Sequence, residues 1–216
     1  MSDAVVFSLS DSNIVYPEMI YLDTNAIAEI GLNRRYKNDI MKFLLDATAN
    51  DTMFICSPHT YEELKQTIHV NLLKQEMVRQ GFQHNSNINK PDWKQFEDTK
   101  VNVGPTTIRL FNGLVQILKS ATANTLYELE ELPSSTGQAL TDAYISIGVA
   151  PKDAKHSAYM NFHGVNDVLT LDAGYTKVPD INIYAPNYGL TQHSVSGSSP
   201  NKFNSIIHTN NASNTP

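Results

Sequence analysis

Two kinds of hydrophobic pattern alternate along this chain. Short apolar runs of five or six residues, "MIYLD", "TMFICS", "DVLTLD" and "INIYAP", predict buried strands. Between them lie longer stretches whose apolar residues recur at helical spacing. "NAIAEIGL" predicts a helix ending near Gly31. "NRRYKNDIMKFLLDAT" predicts a second, with Ile40, Met41, Phe43, Leu44 and Leu45 fitting one face. "PHTYEELKQTIHVNLLKQEMV" predicts a long helix with Pro58 in its first turn, where a missing N–H costs least. Residues 106–130 read as helical by period, and "SSTGQALTDAYISIGV" as a helix with serine caps. "PKDAKHSAYMNFHG" reads as a helix from Pro151 to a terminal Gly164.

Strands alternating with helices imply an α/β fold, with a parallel sheet covered by helices on both faces. Residues 1–17 read as a short leader ending at Pro17, and 18–190 as one domain. A polar stretch at about 81–105, broken by Gly81, Pro91, Gly104 and Pro105, reads as an insertion with a short helix around Trp93. Residues 191–216 are more than half Ser, Thr and Asn and read as a disordered tail.

Composition narrows the picture. A chain of 216 residues, 41% apolar, suffices for one domain with a full core. A net charge of −6 argues against sequence-blind coating of nucleic acid, but not against a local basic patch beside an acidic centre. Cys56 is the sole cysteine, which rules out an internal disulfide and a cysteine-based zinc cage; in "MFIC" it reads as core. The start "MSDAVVFSLSDSN" lacks the basic and apolar regions of a secretion signal, and no run of about 20 apolar residues is present. A cytoplasmic protein without a membrane partner is expected.

Four carboxylates stand out by position. Asp23 ends the first strand, Glu63 lies in the first turns of the helix after the second, Asp153 lies in the first turn of "PKDAKHSA", and Asp172 ends "VLTLD". In a parallel sheet, strand ends and the helix starts that follow them share one edge, where ligands gather. Clustered carboxylates repel and lose hydration, a cost that a hard divalent cation reverses. Such an ion activates water and neutralises charge on a phosphate. Each residue also has a purely structural role open to it. Asp23 can cap the next helix, Asp153 gains from a helix dipole, Glu63 can be a surface residue beside Glu62, and Asp172 can open the turn "DAGY".

The blocks "YLDTN", "SPHTYEEL" and "PKDAKHSAYMNFHGVNDVLTLDAGY", followed by "VPDINIYAP", resemble in order the PIN-domain family, metal-dependent ribonucleases that include toxins of toxin–antitoxin pairs. The resemblance covers roughly residues 18–187. The long stretch between Glu63 and Asp153 and the tail depart from the family pattern. It implies a three-layer α/β/α sandwich with a central, mostly parallel sheet. It implies Mg2+ or Mn2+ held by Asp23, Glu63, Asp153 and Asp172, and hydrolysis of RNA by a metal-activated water. It also brings in an antitoxin-like protein inhibitor and a homodimer as partners. Thr24 and Asn25 match the polar positions after the first Asp and are expected to position that carboxylate or a water. An interaction module that keeps the fold without activity is the alternative. A phospho-Asp enzyme at Asp23 is disfavoured, because Asn25 stands where a second Asp is needed.

His156 shares a helix face with Asp153, so its side chain can approach the site; it reads first as a satisfied, partly buried histidine. Asp142 falls mid-helix and is set aside. Arg34, Arg35 and Lys37 form the densest basic cluster, with Tyr36 interleaved. They are candidates for holding RNA phosphates at the rim of the cleft, or else a solvated loop.

Overall fold

A computed structural model describes residues 4–81 and 101–186. The expected tail at 191–216 and most of the 81–105 insertion, Trp93 included, lie outside the described residues. Six strands form one sheet in the order β1-β6-β5-β2-β3-β4, and all five pairings are parallel. The strands are β1 (Val5–Ser8), β2 (Met19–Leu22), β3 (Met53–Cys56), β4 (Leu126–Glu128), β5 (Asp167–Leu169) and β6 (Asn182–Ala185). Among the described residues there are six α-helices: α1 (Thr24–Gly31), α2 (Lys37–Ala49), α3 (Pro58–Arg79), α4 (Gly104–Ala121), α5 (Ser134–Ser146) and α6 (Pro151–Phe162). A 3-10 turn covers Ala173–Lys177.

Side-chain alternation along the strands separates two cores. Ile20 and Leu22 of β2, Phe54 and Cys56 of β3 and Leu169 of β5 face α1 to α4, where Ile27, Phe43, Leu44, Leu64, Ile68, Leu114 and Leu118 are buried. Tyr21, Ile55, Val168 and Ile183 face the other way, onto Ala154, Tyr159 and Met160 of α6 and onto Tyr175. Register aligns these rows: Tyr21 lies opposite Ile55 and Val168, and Leu22 opposite Leu169. Burial on both faces is why these strands read as continuous apolar runs. The three-layer sandwich follows, with α5 packed on α6 and none of its own residues buried.

From β2 the chain steps to β3 and then to β4, and it returns to the opposite side of β2 to lay down β5 and β6. The winding therefore reverses at the β2–β5 junction. The crevice beyond the strand ends at such a reversal is where doubly wound sheets bind ligands.

Several elements differ from the sequence reading. The expected leader contains β1, which pairs with β6 as an edge strand, and Phe7 stacks on Tyr184 at 4.9 Å between centroids. Four residues at an edge form a strand only because a neighbour completes their hydrogen bonds. The helix expected over 106–130 spans Gly104–Ala121. Ala123 and Asn124 adopt positive φ (46° and 65°), which a helix cannot continue, and the chain then forms β4. The cap of α5 is Pro133, not a serine, and it makes no side-chain bond. The strand "DVLTLD" stops at Leu169, so Asp172 instead caps the 3-10 turn. No helix among the described residues is long and apolar enough to cross a membrane.

Phe7→Ala tests the reassignment of the leader. As part of the sheet, it should cost about 1–3 kcal/mol in urea unfolding. A dangling leader would give a change near zero.

Candidate metal centre at the carboxyl end of the sheet

Asp23 is the first residue past β2 and the N-cap of α1. Its Oδ1 accepts the Thr24 N–H (2.7 Å) and its Oδ2 accepts the Thr170 hydroxyl (2.6 Å). It is 4% exposed. Burial pushes its carboxyl above the ordinary value, against the pull of His156, Thr170 and Thr24. The capping role and a place in the cleft are thus held by the same side chain.

Thr170 joins the two strand ends. Having given its proton to Asp23, it accepts from Asn25 Nδ2 (3.2 Å) and from the Asp172 N–H (3.0 Å). Asn25 also accepts the Leu171 N–H at 2.9 Å. Asn25 therefore acts on the Asp172 segment through Thr170, and Thr24 donates its hydroxyl to Glu63 Oε2 (3.2 Å). Thr24 thus supports Asp23 through its backbone and Glu63 through its side chain.

Asp153 and Asp172 meet over Gly174. The Gly174 N–H donates to Asp172 Oδ1 (2.8 Å), and a Cβ on this glycine would overlap Asp153 Oδ2. A larger residue here would push the Asp153 carboxylate away from its place beside Asp172. Burial, followed by the charges of Asp172 and Asp23, pushes Asp153 up to about 6.

Glu63 lies in different company. Its Oε2 accepts from His156 Nε2 at 2.9 Å, and its Oε1 lies 3.2 Å from the Lys152 ammonium. His59, one helical turn earlier, places Nε2 3.8 Å from Oε1. Burial opposes ionisation of Glu63, but the His156 hydrogen bond, the charges of His156 and His59 and the Lys152 bond outweigh it and hold the carboxyl at about 2. A carboxylate only accepts, so Nε2 of His156 carries a proton in either state of the ring.

His156 is 1% exposed, not partly buried as expected, and it stands between Glu63 and Asp23, whose Oδ1 is 3.7 Å away. Its Nδ1 meets the Tyr21 hydroxyl (2.7 Å), which also contacts Ser57 (2.5 Å) and Thr60 (2.8 Å). The capping box of α3, formed by Ser57 and Thr60, thereby anchors a histidine from α6. Burial pushes the His59 imidazole down to about 4, reinforced by His156 and Lys155.

The four expected carboxylates converge on this edge from four segments. Among the described residues, however, the group of His, Asp and Glu whose ligating atoms all lie within 4.8 Å of one another is His59, Glu63 and His156. Asp23 borders that group, its Oδ1 3.7 Å from His156 Nε2, while Asp153 and Asp172 meet over Gly174. Arg34, Arg35 and Lys37 follow the far end of α1, whose eight residues separate them from Asp23 by about 12 Å. Arg35 lies over the Tyr36 ring (5.2 Å), and Lys37 donates to Asn33. Asp142 is exposed on α5 and accepts from Gln138. The sequence reading passed over His59, Lys152, Tyr21 and Thr170. The i, i+4 spacing of His59 and Glu63 was visible, whereas Tyr21 looked like core and Thr170 like an ordinary strand residue.

No protein-family model matches the chain, and no curated protein matches it.

Asp153 carries a pH signature. Its folded pKa lies above its unfolded one, so the folded state binds more protons between about pH 4 and 6. Its contribution is therefore fully present below pH 4 and is lost as pH rises through 6. Discounted for partial exposure, the loss is roughly 1 kcal/mol. In chelator at pH 7.5, Asp153→Asn should melt about 2–4 °C above wild type. The gain should vanish at pH 4; a gain equal at both pH values would refute a cost of ionising this buried carboxyl beside Asp172 and Asp23.

Proposed function

We propose that this protein is a Mg2+- or Mn2+-dependent ribonuclease of the cytoplasm that hydrolyses RNA phosphodiesters with a metal-activated water. The observation that carries this reading is the convergence of Asp23, Glu63, Asp153 and Asp172 at the point where the sheet reverses its winding. Like charges packed over Gly174 favour a divalent cation, and the carboxylate oxygens suit magnesium or manganese. When bound, the ion supplies an activated water and charge stabilisation on the phosphate.

The chain's own residues divide the remaining work. Asp23 is oriented by Thr24 and Thr170, and Asp172 by the Thr170 hydroxyl and the Gly174 N–H. Asp153, packed against Asp172 over Gly174, would hold the ion together with it. An antitoxin-like inhibitor and a homodimer belong to this reading through the family resemblance alone.

One observation favours a second reading. Lys152 already places an ammonium 3.2 Å from Glu63, which neutralises it without metal. An inactive interaction module would keep that pair.

RNA cleavage by the purified chain, with Mn2+, Mg2+ or chelator, separates the two. Cleavage should require metal and fall at least about 100-fold in Asp23→Asn or Asp172→Asn. Metal-independent cleavage, or variants as active as wild type, would sink the assignment. Absence of cleavage together with no metal-induced change in melting temperature would favour the module.

A further inference from the structure

We propose that His59, Glu63 and His156 form a second metal site, selective for a transition-metal ion of the zinc type, that shares only Glu63 with the carboxylate cleft. His59 and Glu63 are four residues apart on α3 and project from one helix face. His156 approaches from α6, its ring centroid 4.6 Å from that of His59. The three ligating atoms lie within 4.8 Å of one another. A tetrahedral zinc with bonds of about 2.0–2.2 Å holds its ligand atoms about 3.3–3.6 Å apart, so modest side-chain shifts close the site.

Three features of the surroundings fit an ion. Neither ring nitrogen of His59 has a hydrogen-bond partner, although both are shielded from solvent and a neutral imidazole offers one donor and one acceptor. His156 turns Nε2 toward the group; on ligation the proton it now donates to Glu63 is released, and the ring keeps its N–H on Nδ1, which donates to the Tyr21 hydroxyl and so fixes the ring. Two imidazoles and one carboxylate are three protein ligands, which leaves a fourth position for water.

The donor set also selects the ion. Imidazole suits zinc and its neighbours, whereas magnesium keeps oxygen ligands and its own waters. Lys152 competes for Glu63, but its side chain is 79% exposed, so the ammonium can swing into solvent as an ion arrives.

The test is a calorimetric titration of the full metal-free chain with Zn2+ in excess Mg2+. Wild type should bind a single tight zinc that magnesium does not displace, and its melting temperature should rise. His59→Asn should weaken binding by more than about 100-fold, beyond what loss of an outer support costs. His59 is only partly buried, so this substitution perturbs the core less than one at the fully buried His156. Asp172→Asn should bind zinc like wild type. No zinc binding, binding indifferent to His59→Asn, or binding lost in Asp172→Asn would each overturn the proposal. The readout is binding, so an inactive protein that takes zinc leaves this inference standing, and a nuclease that takes none leaves the proposed function standing.

Discussion

A carboxylate buried at the end of a strand that is itself covered on both faces must be met by donors or by a cation, because an unpaired charge there costs several kcal/mol. Asp23 imposes that constraint here. One of its oxygens is met locally, by the first N–H of α1. The other is met by Thr170, just past β5, and this requires β5 to lie directly beside β2. The return of the chain from β4 across the sheet, the reversal of winding and the crevice at the strand ends are all consistent with that single bond.

Around this point the site is electrically divided. On one side Asp153 and Asp172 press together over Gly174, and burial, reinforced by the charges of Asp172 and Asp23, raises Asp153 to about 6. On the other, His156, His59 and Lys152 hold Glu63 near 2. The two halves therefore ask for different things. The first lacks positive charge and offers only oxygen donors. The second is already compensated and offers nitrogen. Asp23 borders both, with Oδ2 on Thr170 and Oδ1 facing His156.

A buried hydroxyl network supports this division from behind. Tyr21 reaches out of β2 to Ser57, Thr60 and His156, which ties the central strand to the start of α3 and to α6. The tyrosine hydroxyl can donate to a neutral His156 ring or accept from a charged one, passing its own proton to Ser57 or Thr60. The network is therefore satisfied in either state. Placing this polar cluster inside the second core costs little because every member found has a partner.

Much of this was legible in the sequence. The four central strands and the bounds of α1, α3 and α6 follow from uninterrupted apolar runs and from spacing at a 3.6-residue period, which are local properties. The carboxylates at the strand ends were likewise marked by position alone. What the tertiary structure decided is less local. β1 and β4, at the two edges, are similar in length to the central strands, but each is a strand only because a neighbour completes its hydrogen bonds. Tyr21 reads as one more apolar residue of "MIYL", and its role exists only where α3 and α6 bring hydroxyls and an imidazole to it. The pairing of His59 and Glu63 with His156 spans 93 residues between the last two, and no spacing rule reaches that far. Sequence determined which groups stand at strand ends and helix starts, because those positions are set by nearest neighbours. Only packing decided which of them meet, because that depends on the order in which the strands lie side by side.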